Sequence, residues 1–486
     1  MYLSKSKYCN AVQCKKMLWL NEYKPEEKES LNESVLENGT QVGELAKNLF
    51  GFHIDVSFNE NLKQMIEDTK SLLYLDKVVI TEASFEYDNN FCSVDILKKN
   101  KSDFEIYEVK SSTEVKDIYK EDISYQYFIL NNLGYNVTKA SIVYINSQYE
   151  RNGELNLKEL FNIEDVTEYV KEKLENIKLN IKEINNYMNQ KREPDELLGI
   201  HCVKPYNCPF FKYCTKGLGN QNVFTLKGIN NNKKFELYNK GIFEYEELLK
   251  IKINDKIKQQ IEFELYDEED YIDKTKIKEF LDKLTYPLYF LDFETFQMSI
   301  PLYDKTRPYM QIPFQYSLHY IINDELKHKE FLSEPDIDPR RKLAESLVKD
   351  IPKDVCVLAY NMAFEKMVIK ELAILYEDLS DHLMNIYKNI KDLMIPFKDR
   401  YYYSKNMHGI YSIKYVLPAL YPNDPSLDYK NLDLVHNGSE AMNMFANMCN
   451  LDKDKQKELK NSLLKYCELD TYAMVKIFYK LKEVTS

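Results

Sequence analysis

Apolar, β-branched and aromatic residues gather in KVVITEASFEY (77–87), around EIYEVKSS (105–112) and in ASIVYIN (140–146), which predicts strands. KDIYKEDISYQYFILNNLG (116–134) instead repeats its apolar positions with a helical period. So do QVGELAKNLFG (41–51) and the long amphipathic stretch 166–193. Further on, YPLYFLDFETF (286–296) reads as a buried strand, and FQYSLHYII (314–322) and ELKHKEFL (325–332) as two strands joined by a short turn. DVCVLAYN (354–361) is another strand, and helical sequence follows, ending in 457–484. Strands first and helices later predict an α/β sandwich on a mixed sheet.

The middle differs. Short helical pieces flank Gly228 and Gly241, and highly charged helical sequence follows. The expectation is therefore an α/β chain in three parts: an α/β unit over 1–216, a helical linker over 217–282 and a second α/β unit over 283–486. LKGINNNKKFELYNKGI in the linker weakly resembles a helix–hairpin–helix element, whose turn can present backbone N–H groups to phosphates. A plain helical linker explains the same residues equally well.

A length of 486 residues allows two to four domains with their own cores. With 44% hydrophobic and 30% charged residues the chain reads as globular, and only 12 glycines argue against a linker-rich one. The net charge of −12 argues against a non-specific DNA-coating protein but leaves room for a local basic groove. The first sixteen residues hold no apolar signal-type stretch, and no run of about 18 apolar residues occurs. The expectation is a cytoplasmic protein with no membrane partner, whose grouped cysteines bind metal rather than pair as disulfides.

Glu108 and Lys110 lie two apart on a predicted strand and so share a face; Asp95 lies on the strand before. Two carboxylates can hold Mg²⁺ through oxygen, and a lysine can orient water or stabilise negative charge. Asp, Glu and Lys are common, and Glu-x-Lys alone says little. The following helix adds Gln126. Together these residues resemble the RecB-like nucleases of the PD-(D/E)XK superfamily. The resemblance implies a restriction-endonuclease-like fold, Asp95 and Glu108 as metal ligands, a catalytic Lys110 and a supporting Gln126. Many relatives carry a His or Glu on an early helix; here Gly43 stands about there, with Glu44 beside it.

Cys14 lies near the start, and Cys202, Cys208 and Cys214 follow in HCVKPYNCPFFKYC (201–214). One N-terminal and three C-terminal cysteines resemble the layout of the CRISPR-associated RecB-like exonucleases and of the AddB type. That resemblance implies a [4Fe–4S] cluster that staples the unit shut. A Cys₄ zinc site is the alternative, and Cys9 competes with Cys14.

LDFETF places Asp292 and Glu294 on one face of a buried strand, where two acids need a cation or another partner. Tyr466 and Asp470 are four apart on a helix, and AYNMAFEK carries Glu365. In this order the motifs resemble the DEDD exonucleases, which implies an RNase H-like fold and two-metal chemistry. Asp292, Glu294 and Asp470 are then ligands and Tyr466 orients the attacking water. Glu365 stands where that family usually has Asp; Asp392 is an alternative acid. HGIYSIKYVLPALYP (408–422) also resembles a RecB-associated C-terminal domain. The implied activity is a Mg²⁺- or Mn²⁺-dependent nuclease acting on DNA, on single strands or ends, in repair or defence. An RNA exonuclease, or a nucleic-acid-binding scaffold with an inactive site, are the rival readings.

Overall fold

The structure, a computed structural model, describes residues 2–29 and 33–486. The chain is α/β and divides into two compact units. The first runs to Leu218 and includes Met298–Tyr309; the second is Gly219–Gln297 with Met310–Ser486.

The first unit is built on one seven-stranded mixed sheet. Its strands are β1 (Leu3–Ser4), β2 (Ile54–Asp55), β3 (Lys77–Tyr87), β4 (Asn90–Asn100), β5 (Asp103–Lys110), β6 (Asn136–Ile145) and β7 (Phe161–Asp165). The order is β2-β3-β4-β5-β6-β7, with β1 joining β4. β3, β4 and β5 form an antiparallel meander, because the turns between them are short. β6 runs parallel to β5, which requires a crossover; the helix Asp117–Asn132 supplies it. That helix buries Ile123, Tyr125, Ile129 and Leu130 against the sheet, together with Val170, Ile177 and Ile184 of the helix Thr167–Met188.

In the second unit the strands are β8 (Tyr271–Ile272), β9 (Leu288–Phe296), β10 (Ile312–Ile322), β11 (Glu325–Leu332), β12 (Cys356–Ala359), β13 (Ile390–Asp392) and β14 (Tyr402–Tyr403). Five form a mixed sheet in the order β11-β10-β9-β12-β13, while β8 and β14 pair separately. β9, β10 and β11 are antiparallel; β12 and β13 continue parallel to β9. Alternation along the central β9 sorts its side chains. Leu291 and Phe293 pack with the helices Arg340–Asp350, Ala363–Leu375 and Glu377–Asn389. Phe290 and Asp292 face the long helix Lys453–Thr485, through Phe478 and Cys467. The sheet is thus covered on both faces, and one cover carries Tyr466 and Asp470.

Residues 219–281, read from sequence as part of a linker, fold into four short helices and the strand β8, and count with this second unit. Val223, Leu237, Tyr245, Leu248, Ile257 and Ile261 give the first three of these helices an apolar cluster of their own. Gly228 and Gly241 both have positive φ, 80° and 75°, as tight turns between helices require. Among the described residues no helix is long and apolar enough to cross a membrane.

Candidate functional site

In the first unit, the ladder between β4 and β5 ends at the pair Ile96–Tyr107. Beyond it the Val109 amide donates to Asp95 Oδ2 at 2.7 Å in place of a strand partner. This swap splays the strands and turns Asp95 toward Glu108, which is buried. Lys110 Nζ donates to Glu108 Oε1 at 2.6 Å and to Asp122 Oδ2 at 2.8 Å. Gln126 Nε2 donates to Glu108 Oε2 at 2.6 Å and to Asp122 Oδ1 at 3.0 Å. Asp95, Glu108, Lys110 and Gln126 are therefore brought together.

Three further charged residues join them. Asp122 sits one helical turn before Gln126 on the same face, a spacing that the i, i+4 rule could have flagged. Lys5, at the start of the helix Lys5–Gln13, reaches Asp95 Oδ1 at 3.1 Å and both Glu108 oxygens at 3.2 and 3.1 Å. Glu82, with φ 56°, lies opposite Asp95 between the pairs Thr81–Ile96 and Ala83–Val94; burial, then Asp95, pushes its carboxyl up. Burial, then Asp122 and Asp95, pushes Glu108 up to about 8. Asp122 is held below the usual range: burial opposes this, but Lys110 and Lys5 prevail. Gly43 and Glu44 lie on the helix Glu33–Ala46, where Glu44 pairs with Lys47 at 2.7 Å.

The cysteines lie elsewhere in this unit. Cys14 links the helices Lys5–Gln13 and Lys15–Tyr23, and its neighbour Gln13 donates to the carbonyls of His201 and Tyr206 at 2.8 and 2.7 Å. Cys208 N–H closes a turn on the Cys202 carbonyl at 2.8 Å, and Cys214 follows in a short helix. Burial pushes Cys208 up to about 12, and Cys14, Cys214 and Cys202 add to it electrostatically, which groups the four cysteines. Cys9 is not among them; it feels Asp122, Lys110 and Glu108 instead. Among the described residues no three of the four sulfurs lie within 4.8 Å of one another. A single tetrahedral zinc would draw them to about 3.8 Å at its usual bond length; a multi-iron cluster needs a wider frame.

In the second unit the buried acids Glu294, Glu365 and Asp470 converge with the half-buried Asp292. Burial, followed by the neighbouring carboxylates, holds Asp292 and Glu294 well above the usual range. Burial also pushes Glu365 up to about 8 and Asp470 up to about 6. Glu365 Oε2 is buried without a hydrogen-bond partner. Asp292, Glu294 and Cys467 each offer a ligand atom within 4.8 Å of the others. Asp392 is occupied differently: its Oδ1 accepts from the Asn361 and Met394 amides, both at 3.0 Å.

Sequence reasoning missed three partners here. Tyr429 OH donates to Asp470 Oδ1 at 2.6 Å. Lys414 Nζ donates to Tyr466 OH at 3.1 Å and lowers Glu294 and Asp470. Gly438 opens the helix Gly438–Ala446 over the cluster; a Cβ there would stand 3.7 Å from Glu294 Oε2 and 4.0 Å from Tyr466 OH. Lys414 had a visible signal, as a cation inside the otherwise apolar helix Ile413–Leu420.

Comparison with known proteins matches residues 289–412 to a family described as "Domain of unknown function (DUF2779)". That span holds Asp292, Glu294 and Glu365 and ends before Lys414. The chain is 26% identical over 228 residues to "Uncharacterized protein MG366" of Mycoplasma genitalium, covering 43% of this chain and 34% of that protein. It is 26% identical over 226 residues to "Uncharacterized protein MG366 homolog" of Mycoplasma pneumoniae, with the same coverage. The chain thus spans about a third of the length of the curated relatives it matches.

Proposed function

We propose that the protein is a metal-dependent nuclease with two active sites, one in each unit, that hydrolyses DNA phosphodiester bonds at single-stranded regions or ends. In this reading the first unit is restriction-endonuclease-like, stapled by a [4Fe–4S] cluster on Cys14, Cys202, Cys208 and Cys214. The second is RNase H-like, with its acid strand β9 at the centre of a mixed sheet.

The observation that carries the reading is the second acid cluster. Four carboxyls gather here, three of them buried and Asp292 half-buried; Lys414 acts on Glu294 and Asp470, and Glu365 Oε2 has no donor. Like charges this close are costly without a cation or protons. The donor set, all oxygen apart from Cys467, suits Mg²⁺ or Mn²⁺. Asp292, Glu294 and Asp470 would hold the ions, with Glu365 completing the set; Asp95 and Glu108 would do so in the first unit. Bound there, a divalent ion supplies Lewis-acid polarisation of the phosphate and an acidified water.

The chain's own residues do the rest. Tyr429 fixes Asp470 by its 2.6 Å hydrogen bond. Lys414 holds the Tyr466 hydroxyl in place, leaving that oxygen to orient a water. The positive end of the helix Gly438–Ala446, with a glycine in its first turn, favours a phosphate beside Glu294. In the first unit Lys110 is fixed by Glu108 and Asp122 and can stabilise charge on a leaving oxygen.

The test is cleavage of matched DNA and RNA strands with Mn²⁺ by the parent, Asp95→Ala and Asp292→Ala. Each variant should lose part of the DNA activity. Loss of RNA cleavage alone in Asp292→Ala would replace the DNA reading of the second site with an RNA one.

A further inference from the structure

His319, His328 and Glu468 stand apart from the acid cluster, and neither proposed site uses them. His319 on β10 pairs directly across the strands with His328 on β11, and their rings lie 4.5 Å apart. Glu468 comes from the helix Lys453–Thr485, and its Oε1 is 3.9 Å from His328 Nδ1. One ligand atom from each of the three lies within 4.8 Å of the others. We infer that these residues form a second kind of metal site in this unit, one for zinc or a similar transition ion, that ties the β10–β11 hairpin to the helix bearing Tyr466 and Asp470.

Hydrogen bonding prepares both imidazoles for this. The Thr471 hydroxyl donates to the Glu468 carbonyl at 3.1 Å, which leaves its oxygen an acceptor. It then accepts from His319 Nδ1 at 2.8 Å and from the Ser317 hydroxyl at 2.6 Å. With its proton given to Thr471, Ser317 accepts from His328 Nε2 at 2.9 Å. Each ring thus carries its proton on the bonded nitrogen and bears a bare lone pair on the other. These are His319 Nε2 and His328 Nδ1, and the latter is the atom nearest Glu468. Outer partners that fix tautomer and ring orientation are the usual support of imidazole ligands.

The chemistry separates this site from its neighbour. Two imidazoles and one carboxylate suit zinc, cobalt or iron, whereas Mg²⁺ prefers the oxygens around Asp292. Tetrahedral zinc needs ligand atoms about 3.4 Å apart at its usual bond lengths, so closure needs a movement on the order of 1 Å. Glu468 is half exposed and can make it, whereas His319 is buried and anchored. Water can complete the coordination, as at sites with three protein ligands.

The experiment is a Co²⁺ titration of the full chain, freed of loosely held metal by gel filtration and followed by visible absorption. Beside any Co²⁺ held at the carboxylate and cysteine sites, the parent should take up one equivalent with the d–d bands of a nitrogen- and oxygen-ligated ion. His328→Ala and Glu468→Gln, both at partly exposed positions, should lose that equivalent, and Asp292→Asn should keep it. Thr471→Val should bind about 10–100-fold more weakly while folding normally. If the parent shows no such equivalent, or His328→Ala and Glu468→Gln titrate like the parent, the site does not exist.

Discussion

The Lys5 ammonium spans both carboxylate oxygens of Glu108, at 3.2 Å from Oε1 and 3.1 Å from Oε2, and also lies 3.1 Å from Asp95. It thus stands between the two acids proposed as metal ligands in the first unit. Every carboxylate oxygen of Asp95, Glu108 and Asp122 already has a donor, from Lys5, Lys110, Gln126 or the Val109 amide. In the second cluster Lys414 acts on Glu294 and Asp470, while Glu365 Oε2 has no donor. The two sites should therefore differ in how much they depend on added metal.

Lys5→Met removes the internal cation. Without metal the variant should lose roughly 2–4 kcal/mol, the cost of stranding a buried partner, reduced for partial exposure. Mn²⁺ should restore more stability to it than to the parent, because the ion enters where the ammonium stood. Urea denaturation with and without Mn²⁺ checks this; equal Mn²⁺ effects in both proteins would contradict it.

Stability in EDTA should fall as pH rises. Glu365 moves from an ordinary 4.5 up to about 8 on folding, so the folded chain holds its proton more tightly than the unfolded chain. Its contribution is full below the unfolded value and disappears as pH climbs through the folded one. Asp470, pushed up to about 6, and Glu108, pushed up to about 8, act in the same direction. The midpoint of denaturation should drop between about pH 4.5 and 8, and Mn²⁺ should flatten the curve. A midpoint that rises over this window would refute the burial of these acids.

Tyr429→Phe deletes the hydrogen bond that lowers Asp470. Asp470 should titrate higher, moving the acid limb of the cleavage profile up by about one pH unit. Tyr466→Phe should instead lower kcat about 10²–10³-fold with little change in KM, as expected for loss of a water-orienting group. Steady-state rates across pH separate the two effects.

Cys208→Ser should abolish iron and sulphide incorporation and destabilise the first unit, while Cys9→Ser should leave both unchanged. Metal analysis after anaerobic purification decides; a colourless parent holding zinc that Cys208→Ser loses would replace the cluster with zinc.

The β9 acids were legible because Asp292 and Glu294 interrupt an otherwise apolar strand two residues apart, a pattern with few structural explanations. The strands 77–87 and 286–296 and the helix 116–134 were legible from composition and period, and lie within a few residues of β3, β9 and Asp117–Asn132. Lys5 was not. It sits in a short run of Ser and Lys where a charge is unremarkable, and its partner Asp95 is ninety residues away, so only the pairing of β1 with β4 at Asn90–Phe91 brings them together. Glu82 was hidden for a related reason: its place opposite Asp95 depends on the register of β3 on β4, and no local periodicity encodes that. Tyr429 and Lys414 reach Asp470 and Tyr466 from loops and helices of their own, as long-range contacts that sequence spacing does not record.

The most direct measurement is degradation of an end-labelled DNA strand, with Mn²⁺ and with EDTA, by the parent, Asp95→Asn, Asp292→Asn and the double variant. The expected result is Mn²⁺-dependent cleavage by the parent, partial loss in each single variant and none in the double. Cleavage by the double variant at the parent's rate, or no cleavage by the parent under any metal condition, would contradict a two-site nuclease.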